Sequence, residues 1–126
     1  MAKNEEKEIV LLKFALSFNS LLRENRSKKS ENKRSGIKDL KLVSTLGGLS
    51  SETGLRKATL TAIFSGTSNP EALTMDLILK ALNKSFSQFS DYFDNITPSD
   101  LDKFRSEILE NRLKYKKKKR VKKKSS

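Results

Sequence analysis

The side chains that could do chemistry in this chain are cationic and hydroxyl groups, since its 126 residues include no His and no Cys. Disulfides, Cys/His zinc sites, thiol nucleophiles and the usual general base at neutral pH are thereby excluded. The carboxylates are scattered over predicted helix surfaces and do not have the spacing of metal ligands. The sequence also contains no glycine-rich phosphate-binding loop. We therefore expect no enzymatic activity, no metal, no cofactor and no small-molecule substrate.

A group of hydrogen-bonding side chains falls on one face of a helix predicted over residues 56–64. The apolar residues of this segment recur at helical spacing and share the opposite face: Leu60, Ile63 and Phe64. Lys57, Ala58 and Thr61 point the other way and carry small or flexible groups. A helix that lies in a DNA major groove needs such a face, because it meets base edges with donors, acceptors and methyl groups. For each residue taken alone, an ordinary solvated helix surface is the alternative.

The basic residues are concentrated at the C-terminal end. The formal net charge is +12, yet residues 112–126 hold ten basic residues and no acidic one, so the rest of the chain is close to neutral. A block of this kind repels itself, and we predict a disordered basic tail over 114–126. It would add non-specific affinity for nucleic acid by releasing counterions; a merely solubilising chain end is the alternative. The residues assigned to this contact are Lys116, Lys117, Lys118, Lys119, Arg120, Lys122, Lys123 and Lys124.

The other elements read as helices that would position residues 56–64. Apolar residues at helical spacing, with capping residues at several ends, predict these helices: 5–25, 37–44, 46–53, about 73–82, 86–93 and 98–113. The stripe of the helix after Pro70 is assigned to these residues: Leu73, Leu77, Ile78, Ala81 and Leu82. The aromatic residues between 86 and 93 are expected to pack in the core.

Two segments are harder to interpret. Residues 26–36 contain no apolar side chain and predict a mobile linker, with a flexible arm that touches DNA phosphate as the alternative. Gly47-Gly48 is a poor helix interior, so residues 37–53 predict two short helices, with one bent helix as the alternative.

Several short motifs in residues 45–90 occur in a recognisable order: Thr53-Gly54-Leu55, Thr59-Leu60-Thr61, Ile63-Phe64-Ser65-Gly66, Asn69-Pro70 and Ile78 with Ala81-Leu82. In order and spacing they resemble the phage-repressor-like (Cro and lambda-repressor-like, XRE-type) helix-turn-helix family. The resemblance implies an all-α, compact lambda-repressor-like bundle over 1–113, with the helix-turn-helix at about 45–70 and a C-terminal helix before the tail. The chain departs from the family at Leu46, where Gln is usual, and at Ser50, where Ala is usual.

The resemblance also implies which residues would meet DNA. In that family the helix after the turn glycine enters the major groove, so Lys57, Ala58 and Thr61 would contact bases. The residues at the family's phosphate-contacting positions are Thr45, Arg56, Ser65, Thr67, Ser68 and Asn69.

The function implied is that of a bacterial or phage transcription regulator, a repressor that binds double-stranded DNA as a homodimer. An antitoxin that represses its own operon and binds a toxin partner is an alternative, as is a generic basic RNA- or DNA-binding protein. No apolar run is long enough for a membrane span, and we expect a cytoplasmic, nucleoid-associated protein with no membrane partner.

Overall fold

The computed structural model describes the backbone of residues 2–37 and 42–124 and the side chains of residues 5–37 and 42–114. All secondary structure in these residues is helical, which confirms the predicted all-α class. Six helices follow in order: α1 (Ala2–Arg34), α2 (Leu46–Thr53), α3 (Lys57–Phe64), α4 (Ala72–Leu82), α5 (Phe86–Asn95) and α6 (Pro98–Lys124). The chain forms two compact units, Met1–Ile96 and Thr97–Ser126. None of the described helices has the length and apolar character that crossing a membrane requires.

The first unit is built around α1, which packs against α3, α4 and α5, while α2 packs against α3 and α4. One apolar face of α1 supplies the centre of the core, and the helices around it contribute their own inward faces. The buried side chains that form this core are Phe18, Leu21, Leu22, Leu49, Leu60, Ile63, Phe64, Ile78, Leu79, Leu82 and Phe89.

Aromatic rings from α1, α3 and α5 form one cluster within this core. The ring centroid of Phe18 lies 5.7 Å from that of Phe64 and 4.8 Å from that of Phe89. Phe14 lies 5.2 Å from Phe93 on the same measure. The predicted core packing is thus confirmed for Phe89 and Phe93, but it is wrong for Phe86, which is 49% exposed at the start of α5.

The prediction of a mobile linker over 26–36 is wrong, because α1 continues without a break to Arg34. The segment lacks apolar residues, but it is rich in Lys and Arg, which have high helix propensity, and it contains no Pro or Gly before Gly36. Gly36 then ends the helix with a positive φ of 74°, and its N–H donates to the Lys33 carbonyl at 3.2 Å. A glycine is favoured at this left-handed position because it has no Cβ.

The segment between α1 and α2 also differs from the prediction. Of the helix predicted over 37–44, residues 37 and 42–44 are non-helical, and residues 38–41 lie outside the described residues. The predicted helix over 46–53 is confirmed as α2. The glycine pair falls in its first turn rather than its interior, where the N–H groups have no intrahelical partner in any case.

The inward face of α4 is rotated from the predicted stripe. Ile78, Leu79 and Leu82 are buried, whereas Leu73 is 70% exposed and Leu77 is 37% exposed. Most of the eleven residues of α4 are apolar, so several stripes fit the spacing equally well. Packing against α1 and α2 decides which stripe is buried.

The last two helices begin at clear capping residues. Ser85 accepts a hydrogen bond from the Gln88 N–H, and the Gln88 side chain accepts one from the Ser85 N–H, a complete capping box at the start of α5. At the start of α6, the Thr97 hydroxyl accepts from the Asp100 N–H at 3.2 Å. The Thr97 backbone N–H in turn donates to the Asp100 carboxylate, which lowers the pKa of that carboxyl.

The structure carries α6 through Lys124, so the predicted disorder of residues 114–126 is not confirmed. Lys and Arg are good helix formers, and the segment follows a helix that is already nucleated.

Asn25 is a buried polar residue in the apolar stripe of α1. Its side chain is 2% exposed, and its amide nitrogen donates to the carbonyl oxygen of Val43 at 2.8 Å and to that of Leu82 at 3.1 Å. These two bonds connect α1 to the segment before α2 and to the end of α4.

We expect Asn25→Ala to lower the free energy of unfolding by about 1–3 kcal/mol, because it removes the donor for two carbonyl groups in a buried site. Chemical denaturation followed by far-UV circular dichroism measures this change. Asn95→Ala is the control, since Asn95 is exposed and bonds only within its own helix, to Asp91 at 2.6 Å. Equal effects of the two substitutions would contradict the role assigned to Asn25.

Candidate nucleic-acid interface

The first turn of α2 is closed by Thr45. This residue has extended backbone angles (φ −138°, ψ 160°), and its hydroxyl oxygen accepts a hydrogen bond from the Gly48 N–H at 3.0 Å. A Cβ at Gly48 would lie 3.2 Å from that oxygen and 3.4 Å from a methyl group of Val43, so the close approach favours glycine. Thr45 is exposed, and its hydroxyl proton is left to donate outward.

Side chains of α2 hold the turn between α2 and α3. Gly54 takes a φ of 77°, and its N–H donates to the Ser50 carbonyl at 2.9 Å. The Ser50 hydroxyl donates to the Leu55 carbonyl at 2.7 Å, and the Leu55 N–H donates to the Thr53 hydroxyl at 3.1 Å. Ser50, which departs from the family pattern, thus has a structural role here: it ties α2 to the entrance of α3.

The helix α3 has one buried and one exposed side, as predicted. Leu60, Ile63 and Phe64 are buried. The predicted base-contacting residues and their neighbour at the helix start are all exposed: Arg56, Lys57, Ala58 and Thr61. The Thr61 hydroxyl donates to the Lys57 carbonyl at 2.9 Å, so its proton is used within α3 and its oxygen is left to accept. Sequence reasoning missed Thr59, which is also exposed and lies beside Ala58.

The hydroxyls that follow α3 close the end of that helix. The Thr67 hydroxyl donates to the Ala62 carbonyl at 3.1 Å, and the Ser65 hydroxyl lies 3.3 Å from both the Ala62 carbonyl and the Thr67 hydroxyl. Their protons are therefore engaged within the protein. Asn69 is exposed and lines a shallow depression against the first turns of α1, and Ser68 is half-buried.

Polar side chains of α1 hold both ends of the α2–α3 pair, which sequence reasoning missed. Asn19 donates to the Phe64 carbonyl at the end of α3 at 2.8 Å. The Arg26 Nε donates to the Ser44 carbonyl just before α2 at 2.9 Å, next to the Asn25 bond to Val43. The signal in the sequence was Asn25 itself, a polar residue at i+3 and i+4 from the apolar pair Leu22 and Leu21.

The structure thus brings the predicted base-contacting residues together on α3, with Arg56 at its entrance and Thr45 at the start of the preceding helix. The side chains of residues 116–124 lie outside the described residues, so their contact with nucleic acid stays a prediction. In the described part of the chain, no group of three acidic side chains is placed to hold a metal ion.

No protein-family model, no curated protein and no solved structure shows a significant match to this chain.

Two glycines with nearly the same φ border α3, and they allow a matched test of its packing. A Cβ at Gly54 would meet nothing within 4 Å, whereas a Cβ at Gly66 would lie 3.0 Å from the Leu12 side chain and 3.3 Å from the Leu12 Cα. The left-handed conformation costs an alanine about 1–2 kcal/mol. Overpacking adds about 1–3 kcal/mol at Gly66 alone.

We therefore expect Gly54→Ala to lower the free energy of unfolding by about 1 kcal/mol, after the smaller gain from restricting the unfolded chain. Gly66→Ala should lower it by about 2–4 kcal/mol, because it also pushes α3 away from α1. Urea denaturation of the two variants measures the difference. Equal losses would show that Gly66 is not a point of close approach.

Proposed function

We propose that this protein is a sequence-specific regulator that binds double-stranded DNA and represses transcription by occupying an operator. In this proposal, α2 and α3 form a helix-turn-helix of the phage-repressor-like kind. The observation that carries it is the two-sided character of α3: Leu60, Ile63 and Phe64 anchor the helix, while Lys57, Ala58 and Thr61 are exposed.

The dimensions of α3 suit the major groove. An α-helix is about 10–12 Å across, and eight residues extend for about 12 Å, while the groove of B-DNA is about 12 Å wide. Lys57 can donate to the guanine acceptors O6 and N7, and Ala58 can contact the thymine methyl group. Because the Thr61 hydroxyl proton is used within α3, its oxygen can accept from the exocyclic amino groups of adenine or cytosine.

The contacts that orient the protein would come from the residues around α3. Thr45 offers a free hydroxyl proton beside the N-terminus of α2, where the helix dipole favours an anion. Arg56 is exposed at the entrance of α3 and can pair with a phosphate of the DNA backbone. In the loop after α3, Ser65 and Thr67 are engaged with Ala62, so we assign phosphate contact there to Ser68 and Asn69.

A homodimer would place two copies of α3 about one helical turn apart on DNA. Leu109 and Leu113 on α6 support α6 as the dimer surface, since they lie one turn apart and are 59% and 54% exposed. A toxin protein could use the same apolar side chains, which keeps an autoregulating antitoxin as the second candidate. A toxin-like reading frame beside the gene would favour that candidate.

The first test concerns base readout. A preferred duplex is first selected from a random pool with the wild-type protein. Lys57→Ala/Thr61→Ala should then reduce the preference for that duplex over a scrambled one by on the order of 1–3 kcal/mol per lost contact, while binding to the scrambled duplex persists. Fluorescence anisotropy measures both affinities, and Lys80→Ala, an exposed lysine paired with Asp76 on α4, is the control.

The second test concerns the tail. Removing residues 114–126 should weaken binding to the selected and scrambled duplexes equally, because phosphate contacts carry no sequence information. Loss of roughly five phosphate contacts would reduce the log–log salt slope by about 4 units. Glutamine at the eight basic positions of 116–124 should act like the deletion. If the tail variants abolish all binding and the α3 variants change nothing, the protein is a generic RNA or DNA binder.

A further inference from the structure

The end of α1 extends past the core as a basic helix. From Arg26 to Arg34 it carries five basic residues, one acidic residue and no apolar side chain. No side chain of this segment is buried, so burial in the core does not explain why the helix is continued for two more turns.

The register of α1 shows which way its lysines face. Phe18, Leu22 and Asn25 are buried along one line of the helix. Lys29 and Lys33 are the next positions on that line, at steps of four residues. They therefore continue the side of α1 that carries Asn25, whose amide bonds Val43 just before α2, beyond the point where the core ends.

Contacts around the start of α2 confirm this placement for Lys29. Arg26 bonds the carbonyl of Ser44, and one turn later Lys29 lines an open depression of about 470 Å³ together with Thr45 and Gly48. Glu52 also lines this depression, and among its described lining residues Lys29 is the one cationic side chain that it offers to an anion, beside the hydroxyl of Thr45.

Lys28 faces elsewhere. It lines a separate groove together with Glu31 and with Tyr92 of α5. Two adjacent lysines of one helix, both exposed, thus lie on different sides of the protein.

We propose that Lys29 and Lys33 form an arm that contacts backbone phosphates of the DNA duplex next to the base pairs read by α3. The inference rests on the proposed function, since it places the start of α2 on the phosphate backbone. The two lysines are about 6 Å apart along the helix axis, so their flexible ammonium groups reach neighbouring phosphates of one strand. The arm adds affinity without reading sequence.

The experiment compares Lys29→Gln, Lys33→Gln and Lys28→Gln in the full-length protein, on the selected and the scrambled duplex. Each lost phosphate contact lowers the slope of log affinity against log salt concentration by about 0.9. If that contact contributes nothing at 1 M salt, its loss weakens binding at 0.15 M salt by about 5-fold. Lys29→Gln should therefore weaken binding about 5-fold, and the double variant Lys29→Gln/Lys33→Gln about 25-fold, equally on both duplexes. Lys28→Gln should change it less than 2-fold. Thermal unfolding of each variant should match the wild type.

The outcomes separate the arm from the proposed function. Equal effects of Lys28→Gln and Lys29→Gln, or no effect of either, would overturn the arm while leaving site preference intact. Loss of preference in the Lys29 variant would also overturn it, since the contact would then read bases. Failure of the selection to enrich any sequence would instead overturn the proposed function, whatever the lysine variants do.

Discussion

A buried amide at the point where the core ends sets the geometry of the first unit. Burial of Phe18 and Leu22 holds α1 against its neighbours, but the hydrophobic effect has no direction. The hydrogen bonds of the Asn25 amide are directional. They run to the carbonyl groups of Val43 and Leu82, which belong to separate segments of the chain. Those two bonds fix the register of α1 against the segment before α2 and against the end of α4.

Anchoring of this kind leaves the outer side of the α2–α3 pair free. Asn19 and Arg26 hold the carbonyl groups at the end of α3 and before α2, while Ser50 ties α2 to the turn. These bonds fix the two ends of the pair and the turn between its helices, and none of them uses a side chain from the exposed face of α3. A surface fixed from behind can meet a rigid partner with little ordering of its backbone, and ordering is a large cost of association.

The sequence predicted helices well where local chemistry decides the outcome. The capping residues Thr45 and Ser85 and the glycine at position 54 mark their helix ends directly in the structure. The buried face of α4 differs from the predicted one because its many apolar residues allow several stripes, and only packing distinguishes Leu79 from Leu73. The linker predicted over 26–36 is helical instead, because polar composition does not by itself imply mobility and Lys and Arg favour helix.

The candidate interface also contains features that the local sequence predicts and features that depend on distant contacts. Exposure of Lys57, Ala58 and Thr61 followed from the spacing of the apolar residues within one helix. The internal engagement of Ser65 and Thr67 could not be predicted, since it depends on how the chain turns at Gly66 against Leu12. The roles of Asn19 and Arg26 depend on contacts with residues 45 and 18 positions away, respectively, which a local reading of the sequence does not contain.

The length of α1 makes its middle and its C-terminal end unequal in stability. At 33 residues it extends for about 50 Å, and its middle shares the global stability of the unit because Phe18 and Leu22 cannot be exposed without unfolding the core. Its last two turns contain no buried side chain and open at a much smaller free energy. One continuous helix thus contains amide protons that exchange with solvent only on global unfolding and others that exchange through local fraying, with Asn25 at the boundary between the two.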